Sequence, residues 1–310
     1  MMNSESPNIS VIESIKKLIK KYSLNHQTLR RLVQLSFATF IIITVLRHIV
    51  IGEDGPVITA SAEAYCPFGG LETLYKYLTS GGAFVSHTHL SNVVLFIAVI
   101  VTAILLRSAF CSWICPLGSL QDLVSGISKA IQKRRPKLKK GLQSFKRKAP
   151  WLSTMDRVLK FGKYIVLIWA IGGSAYFGYM VFRDYDPWSA LINIAEFSFT
   201  PGLIVLILTI VLSLFVERPW CRYACPLGAI SGLAGKLSPV YLKREENACT
   251  LCQVCTKACP MGIEVHKAKT IQSVDCISCL ECVGACPRKG ALEIHIGYSG
   301  RKPKGGEYAS

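Results

Sequence analysis

Four long apolar runs mark the chain, near residues 32–51, 92–109, 162–182 and 202–217, and charge gathers between them. Each run holds 16 to 21 residues. A helix needs roughly 20 residues to cross the hydrocarbon core, a few fewer where flanking lysines snorkel. "NVVLFIAVIVTAILL" (92–106) and "LIVLILTIVLSLFV" (203–216) are apolar on every helical face. A helix apolar all round belongs in a large core or in lipid, and repeated runs of this kind predict lipid. Residues 11–22, "VIESIKKLIKKY", put Val11, Ile12, Ile15, Leu18 and Ile19 on one helical face, with lysines on the other. Two readings stay open for it: a helix lying on the inner leaflet, or a solvated basic segment.

Charge sets the orientation. Lys16, Lys17, Lys20, Lys21, Arg30 and Arg31 precede the first run, and residues 129–160 carry twelve Lys/Arg between the second and third. The other two connections hold only Lys76 and Arg183. By the positive-inside rule, both termini and the 110–161 connection are expected on the cytoplasmic side of the cell membrane, with loops 52–91 and 183–201 outside. The chain is 51% hydrophobic with a net charge of +17, and its mean hydropathy is positive. That basic balance reads as an anionic lipid face and not as a nucleic-acid partner.

The chain repeats itself. "CPFGGLETL" (66–74) aligns with "DPWSALINI" (186–194), and "FCSWICPLGSL" (110–120) with "WCRYACPLGAI" (220–230). Each copy runs outer loop, inward helix, C-x3-C-P-L-G, cytoplasmic segment. A pseudo-twofold pair of such hairpins would bring Cys111, Cys115, Cys221 and Cys225 to the same inner face.

The tail carries the most specific signal. "CTLCQVCTKACP" (249–260) and "CISCLECVGACP" (276–287) are two copies of C-x2-C-x2-C-x3-C-P. Three close thiolates wrap three corners of a cubane cluster, and the fourth, turned away by the proline, ligates the other cluster. One [4Fe–4S] cluster is therefore expected on Cys249, Cys252, Cys255 and Cys286, and a second on Cys276, Cys279, Cys282 and Cys259. Zinc has no use for the third cysteine and the C-P. "ALEIHI" (291–296) alternates like a short strand. The expected fold class is a membrane all-α four-helix bundle, a duplicated helical hairpin, with a C-terminal α+β two-cluster ferredoxin module. The expected divisions are a basic segment at 1–31, the four-span domain at 32–244, the ferredoxin at 245–296 and a flexible tail at 297–310.

Other thiols keep several roles open. Cys111, Cys115, Cys221 and Cys225 fit a third metal centre, a pair of redox dithiols or unused buried residues. The proline after Cys115 and after Cys225 is placed to start a helix whose positive end favours thiolates. Cys66 has no thiol partner on its side, and with His87 and His89 it forms a candidate outer-face site. No span carries a histidine pair suited to haem: His48 stands alone.

With these pieces the chain resembles the NapH/NosR-type membrane polyferredoxins, over roughly residues 30–296. The resemblance rests on the apolar runs, both C-x3-C-P strings and the two-cluster tail. It implies electron transfer between a quinol pool or a cytosolic donor and an outer-face reductase or flavoprotein, with a quinone as a candidate cofactor. One departure is Cys66, where the NapH type has an acidic residue. The string "CPFGGLE" is similar to membrane ferredoxins of flavin-dependent electron export. Two other functions fit the residues: a cupric reductase or cofactor-assembly factor using Cys66, His87 and His89, and a redox-sensing regulator.

Overall fold

The computed structural model describes residues 26–51, 67–79, 90–137, 151–177, 181–192, 200–288 and 290–297. The helices are α1 (His26–Ile51), α2 (Pro67–Thr79), α3 (Leu90–Leu106), α4 (Ala109–Trp113), α5 (Pro116–Arg134), α6 (Trp151–Leu159), α7 (Gly162–Phe177), α8 (Pro187–Ile192), α9 (Pro201–Ser213), α10 (Pro219–Tyr223) and α11 (Pro226–Ala234). Strand β1 (Val240–Arg244), helix α12 (Val254–Ala258), strand β2 (Thr270–Ile271), helix α13 (Glu281–Gly284) and strand β3 (Leu292–Ile296) follow.

Two helical stretches are long and apolar enough to cross a membrane, His26–Arg47 and Thr154–Phe177, while Asn92–Leu106 and Pro201–Ser213 are shorter. Their flanks are apolar and bare: Ile168 is 72% exposed and Ile204 71%. α3 and α9 end earlier than their apolar runs do. α9, with 13 residues, rises about 20 Å, against a hydrocarbon core of about 30 Å. Arg107 (φ 61°) adopts left-handed backbone directly after α3, and Arg218 (φ 50°) does so directly before α10, which breaks the helical path at each point. The one-turn helices α4 and α10 then carry the first cysteine of each C-x3-C. Pro116 and Pro226 restart the chain as α5 and α11, with Cys115 and Cys225 at the N-cap positions.

The two halves interleave. α11 of the second half packs on α3 and α7, and α5 of the first half packs on α9 and α1. Leu227 meets Phe96 and Val99, while Ser125 Oγ donates to Ser213 O at 2.9 Å. The loops expected outside also enter the core. Phe68, at the start of α2, packs with Phe182, Ala170 and Trp220. Trp188, its counterpart in the repeat, packs with Leu117, Leu206 and Cys115. Pro67–Phe68 and Pro187–Trp188 are therefore not remote from the thiols. Large aromatic side chains at the head of each short helix find their apolar partners there.

The tail forms a three-stranded antiparallel sheet, β2-β1-β3, in which Leu242 faces Ile271 on one side and Ile294 on the other. The sheet begins at Val240, five residues before the boundary expected at 245. The inner strand, "VYLKR", buries one residue of five, Leu242, too weak an alternation to read beside the apolar helices. The sheet's core continues without a break into the helical half: Leu242, Ile263, Val265, Ile271, Ile277 and Leu292 cluster with Cys111 and Phe110.

Candidate metal centres

Cys111, Cys115, Cys221 and Cys225 all line one cavity of about 150 Å³. A single water needs roughly 10–15 Å³ by this kind of measure, so the space admits a body of many heavy atoms. Interleaving is what brings the thiols together. Cys111 sits in α4 and Cys115 caps α5, Cys221 sits in α10 and Cys225 caps α11, and each cap proline turns its chain back toward the other half. Burial pushes the Cys111, Cys115 and Cys221 thiols up to about 11, and neighbouring thiols add to the rise: Cys221 acts on Cys111, Cys111 on Cys115 and Cys115 on Cys221. Cys225 is raised too, by burial and then by Cys221 and Cys111. Four thiols that burden one another in this way suit a shared cationic core, which holds thiolates outright. Cys225 Sγ also accepts from Gly228 N at 3.3 Å, and Gln121 Nε2 donates to Cys221 Sγ at 3.5 Å.

The ferredoxin thiols form two sets. Cys259, Cys276, Cys279 and Cys282 line a void of about 20 Å³. Burial raises the Cys282 thiol, and Cys279, Cys276 and Cys259 add to it. In the other set, burial raises the Cys255 thiol, hydrogen bonds involving Thr256 oppose this, and Cys286 and Cys249 add to the rise. The loops match residue for residue. Leu251 and Gln253 flank Cys252 with positive φ, as Ser278 and Leu280 flank Cys279. Such turns aim successive N–H groups at one anionic point, and side chains other than glycine hold them only where the fold insists. Both sets fit the four-iron groups expected of them. Among the described residues, no three His, Cys, Asp or Glu side chains converge as a site for one metal ion. A cubane asks for less convergence, since each thiolate binds a different iron.

The sets differ in placement. Cys252 is exposed, while Cys282 is buried in the core that also holds Cys111. The second set therefore abuts the four-thiol cavity and the first reaches the surface. Several contacts hold this dock. Arg107 Nη1 donates to Ile271 O at 3.0 Å and Nη2 to Ser273 O at 2.8 Å. Trp113 Nε1 donates to Ser278 O at 3.1 Å, and the buried Lys163 pairs with Asp275. A Cβ on Gly232 would strike the carbonyl oxygen of Val274, so α11 approaches this loop as closely as backbone allows.

Sequence reasoning missed a second layer. Arg30, Arg218, Lys163 and Asp275 are buried and Asp122 is half-buried. A basic residue just past an apolar run reads as an orientation signal, and nothing in its spacing names a partner about a hundred residues away. Cys66, His87, His89 and residues 11–22 lie outside the described residues.

The 4Fe-4S binding domain family matches residues 88–136 and again 198–244, one match per hairpin. The 4Fe-4S dicluster domain family matches residues 241–287. The chain is 31% identical over 239 residues to the putative electron transport protein YccM of Escherichia coli, covering 76% of this chain and 63% of that one. An uncharacterized protein of Methanocaldococcus jannaschii is 31% identical over 206 residues, 66% of this chain and 79% of its own. The ferredoxin-type protein NapH of Haemophilus influenzae is 28% identical over 203 residues, 62% of this chain and 64% of its own. No solved structure matches the chain. Domain matches in both hairpins and the tail, and relatives sharing most of this length, agree with the thiol geometry: the chain belongs to the NapH/NosR-type family of ferredoxin-like 4Fe-4S proteins.

Proposed function

We propose that this chain is an integral membrane iron–sulfur electron-transfer protein with three centres. It connects a quinol pool or a cytosolic donor to an acceptor beyond the membrane. The carrying observation is the shared core of Cys111 with the second ferredoxin set, beside a cavity lined by all four C-x3-C-P thiols. Cys249, Cys252, Cys255 and Cys286 would hold one [4Fe–4S] cluster, Cys276, Cys279, Cys282 and Cys259 a second, and Cys111, Cys115, Cys221 and Cys225 a third. Bound there, such clusters supply one-electron carriers.

The chain's own residues do the rest. Phe110, Ile277 and Met261 keep water from between the second and third sets. Arg107, Trp113 and the Lys163–Asp275 pair hold those sets in register. Phe37 and Phe40 line the same cavity and show on the flank of α1, 39% and 50% exposed. A quinol ring in the lipid has an apolar approach to the thiols along this face. Four apolar helices form the span, and the shorter ones cross with the help of the entering segments Pro67–Phe68 and Pro187–Trp188.

Iron and acid-labile sulfide per purified chain test the reading. Three clusters require about twelve irons and two about eight. Changing Cys221→Ser should remove about four irons and leave the ferredoxin signals in the electron paramagnetic resonance spectrum. A wild-type count near eight, unaltered by that change, would defeat the third centre. Menaquinol analogues added to protein in vesicles should reduce the oxidised centres; no exchange with any quinol would exclude the quinol route.

A further inference from the structure

Arg218 is fully buried, at 0% exposure, and holds left-handed backbone. Its Nε and Nη2 each reach Asp122 at 2.6 Å, and its Nη1 donates to Cys111 O at 2.7 Å. A Cβ on Gly118 would lie 2.7 Å from that same carbonyl and 3.4 Å from Arg218 Nη1, so glycine there leaves room for the guanidinium. Asp122 accepts a second cation, Arg30, whose Nε donates to Ser112 O at 3.1 Å and whose Nη1 meets Glu281 Oε1 at 2.7 Å. Glu281 stands between Cys279 and Cys282. The network therefore starts on the backbone of the four-thiol motif and ends at the first residue of α13, within the second ferredoxin set.

We propose that Arg218 is a positioning residue that raises the reduction potential of the four-thiol centre and the second ferredoxin centre together, with Asp122 as the opposing charge. The inference rests on the three-centre reading above. A centre gains one negative charge on reduction, and a cation in a low-dielectric surrounding favours that state, with little screening by water or salt. Arg218 is shielded by its burial, and both Cys221 and Cys279 lie within reach of its field. The first set, around the exposed Cys252, is not in this network. A clamp that only docked the ferredoxin would not need a fully buried cation strained at the joint; a neutral donor could satisfy Cys111 O.

The test is a potentiometric titration of the full-length protein in detergent, followed by electron paramagnetic resonance, with iron counted in each variant. Arg218→Gln should lower the potentials of the four-thiol and second ferredoxin centres and leave the first unchanged as an internal reference. Arg218→Lys should restore part of the shift. Asp122→Asn should move the same two potentials upward. Opposite signs for Arg218→Gln and Asp122→Asn support the inference. Unmoved potentials at full iron content, or shifts of one sign in both variants, overturn it. If Arg218→Gln loses iron, Asp122→Asn decides alone. If the wild type holds only about eight irons, the three-centre reading fails. The second ferredoxin centre then decides the inference: a downward shift in Arg218→Gln supports it and no shift overturns it.

Discussion

The four motif cysteines show how a single side chain's state depends on its neighbours. A free thiol of this kind titrates near 9.0, and burial with mutual repulsion takes Cys111, Cys115 and Cys221 to about 11. Folding thus favours their protonated form. That stability is present below pH 9 and disappears as pH climbs through about 11, because unfolding lets the thiols ionise. Iron-stripped protein should therefore lose denaturation midpoint steadily from pH 9 to 11. A variant with serine at all four positions should not, and equal losses in both would contradict the argument. Asp122 shows the converse. Burial alone would raise its carboxyl, but the Arg218 and Arg30 guanidiniums outweigh that and hold it below the ordinary range. Asp122→Ala leaves the buried Arg218 without its carboxylate, which costs about 3–5 kcal/mol, measurable by urea titration. The cysteines were legible in the sequence because they recur at a fixed local spacing. The arginines were not, because an ion pair spanning 96 residues leaves no periodic trace.

Among the elements, proline did as the sequence predicted. Pro116 and Pro226 open α5 and α11, since their missing N–H is not needed at a first turn and their φ suits a helix. The "ALEIHI" stretch supplies strand β3. The misreadings have physical causes. The apolar runs continue past the helices because hydropathy records solvent preference, and it is a left-handed arginine that ends α3 and precedes α10. Strand Val240–Arg244 is inner in the sheet yet buries one residue, so alternation could not reveal it. Close approach governs the dock of α11. Gly232→Leu must push the 273–277 loop away, at a cost of about 1–3 kcal/mol from overpacking. Amide exchange at residues 274–278 should quicken in that variant while β1 and β3 keep their protection. Unchanged exchange would mean that the loop yields without undocking.

At the scale of the whole molecule, charge and exposure describe one object. The described apolar helices carry large side chains outward, with only 6% of the residues of the His26–Arg47 window and 17% of the Thr154–Phe177 window buried. Such bare flanks are costly in water and suit lipid. The twelve Lys/Arg of 129–160 should then lie in the cytoplasm. Trypsin should cut this connection in inverted membrane vesicles and spare it in right-side-out ones. Cleavage only from the outer side would reverse the proposed orientation. The segments at Phe68 and Trp188 fold back toward the thiols, which shortens the distance from those segments to the proposed third centre. Trp188→Ala should cost about 3–5 kcal/mol and loosen the cavity around Cys115, read as faster alkylation of that thiol after iron removal.

The sequence by itself determined the duplication, the two ferredoxin cysteine motifs, the apolar runs and the expected direction of charge. All of these live in local spacing and composition, which survive in one dimension. Only the tertiary structure decided that the halves interleave, that four thiols from distant positions line one cavity, and that the second ferredoxin set, not the first, abuts them. Those facts depend on which backbones approach closely, at Gly118 and Gly232, and on which buried charges find each other, at Arg218 and Asp122. Contacts between residues a hundred positions apart are set by packing, and the linear pattern holds no record of them.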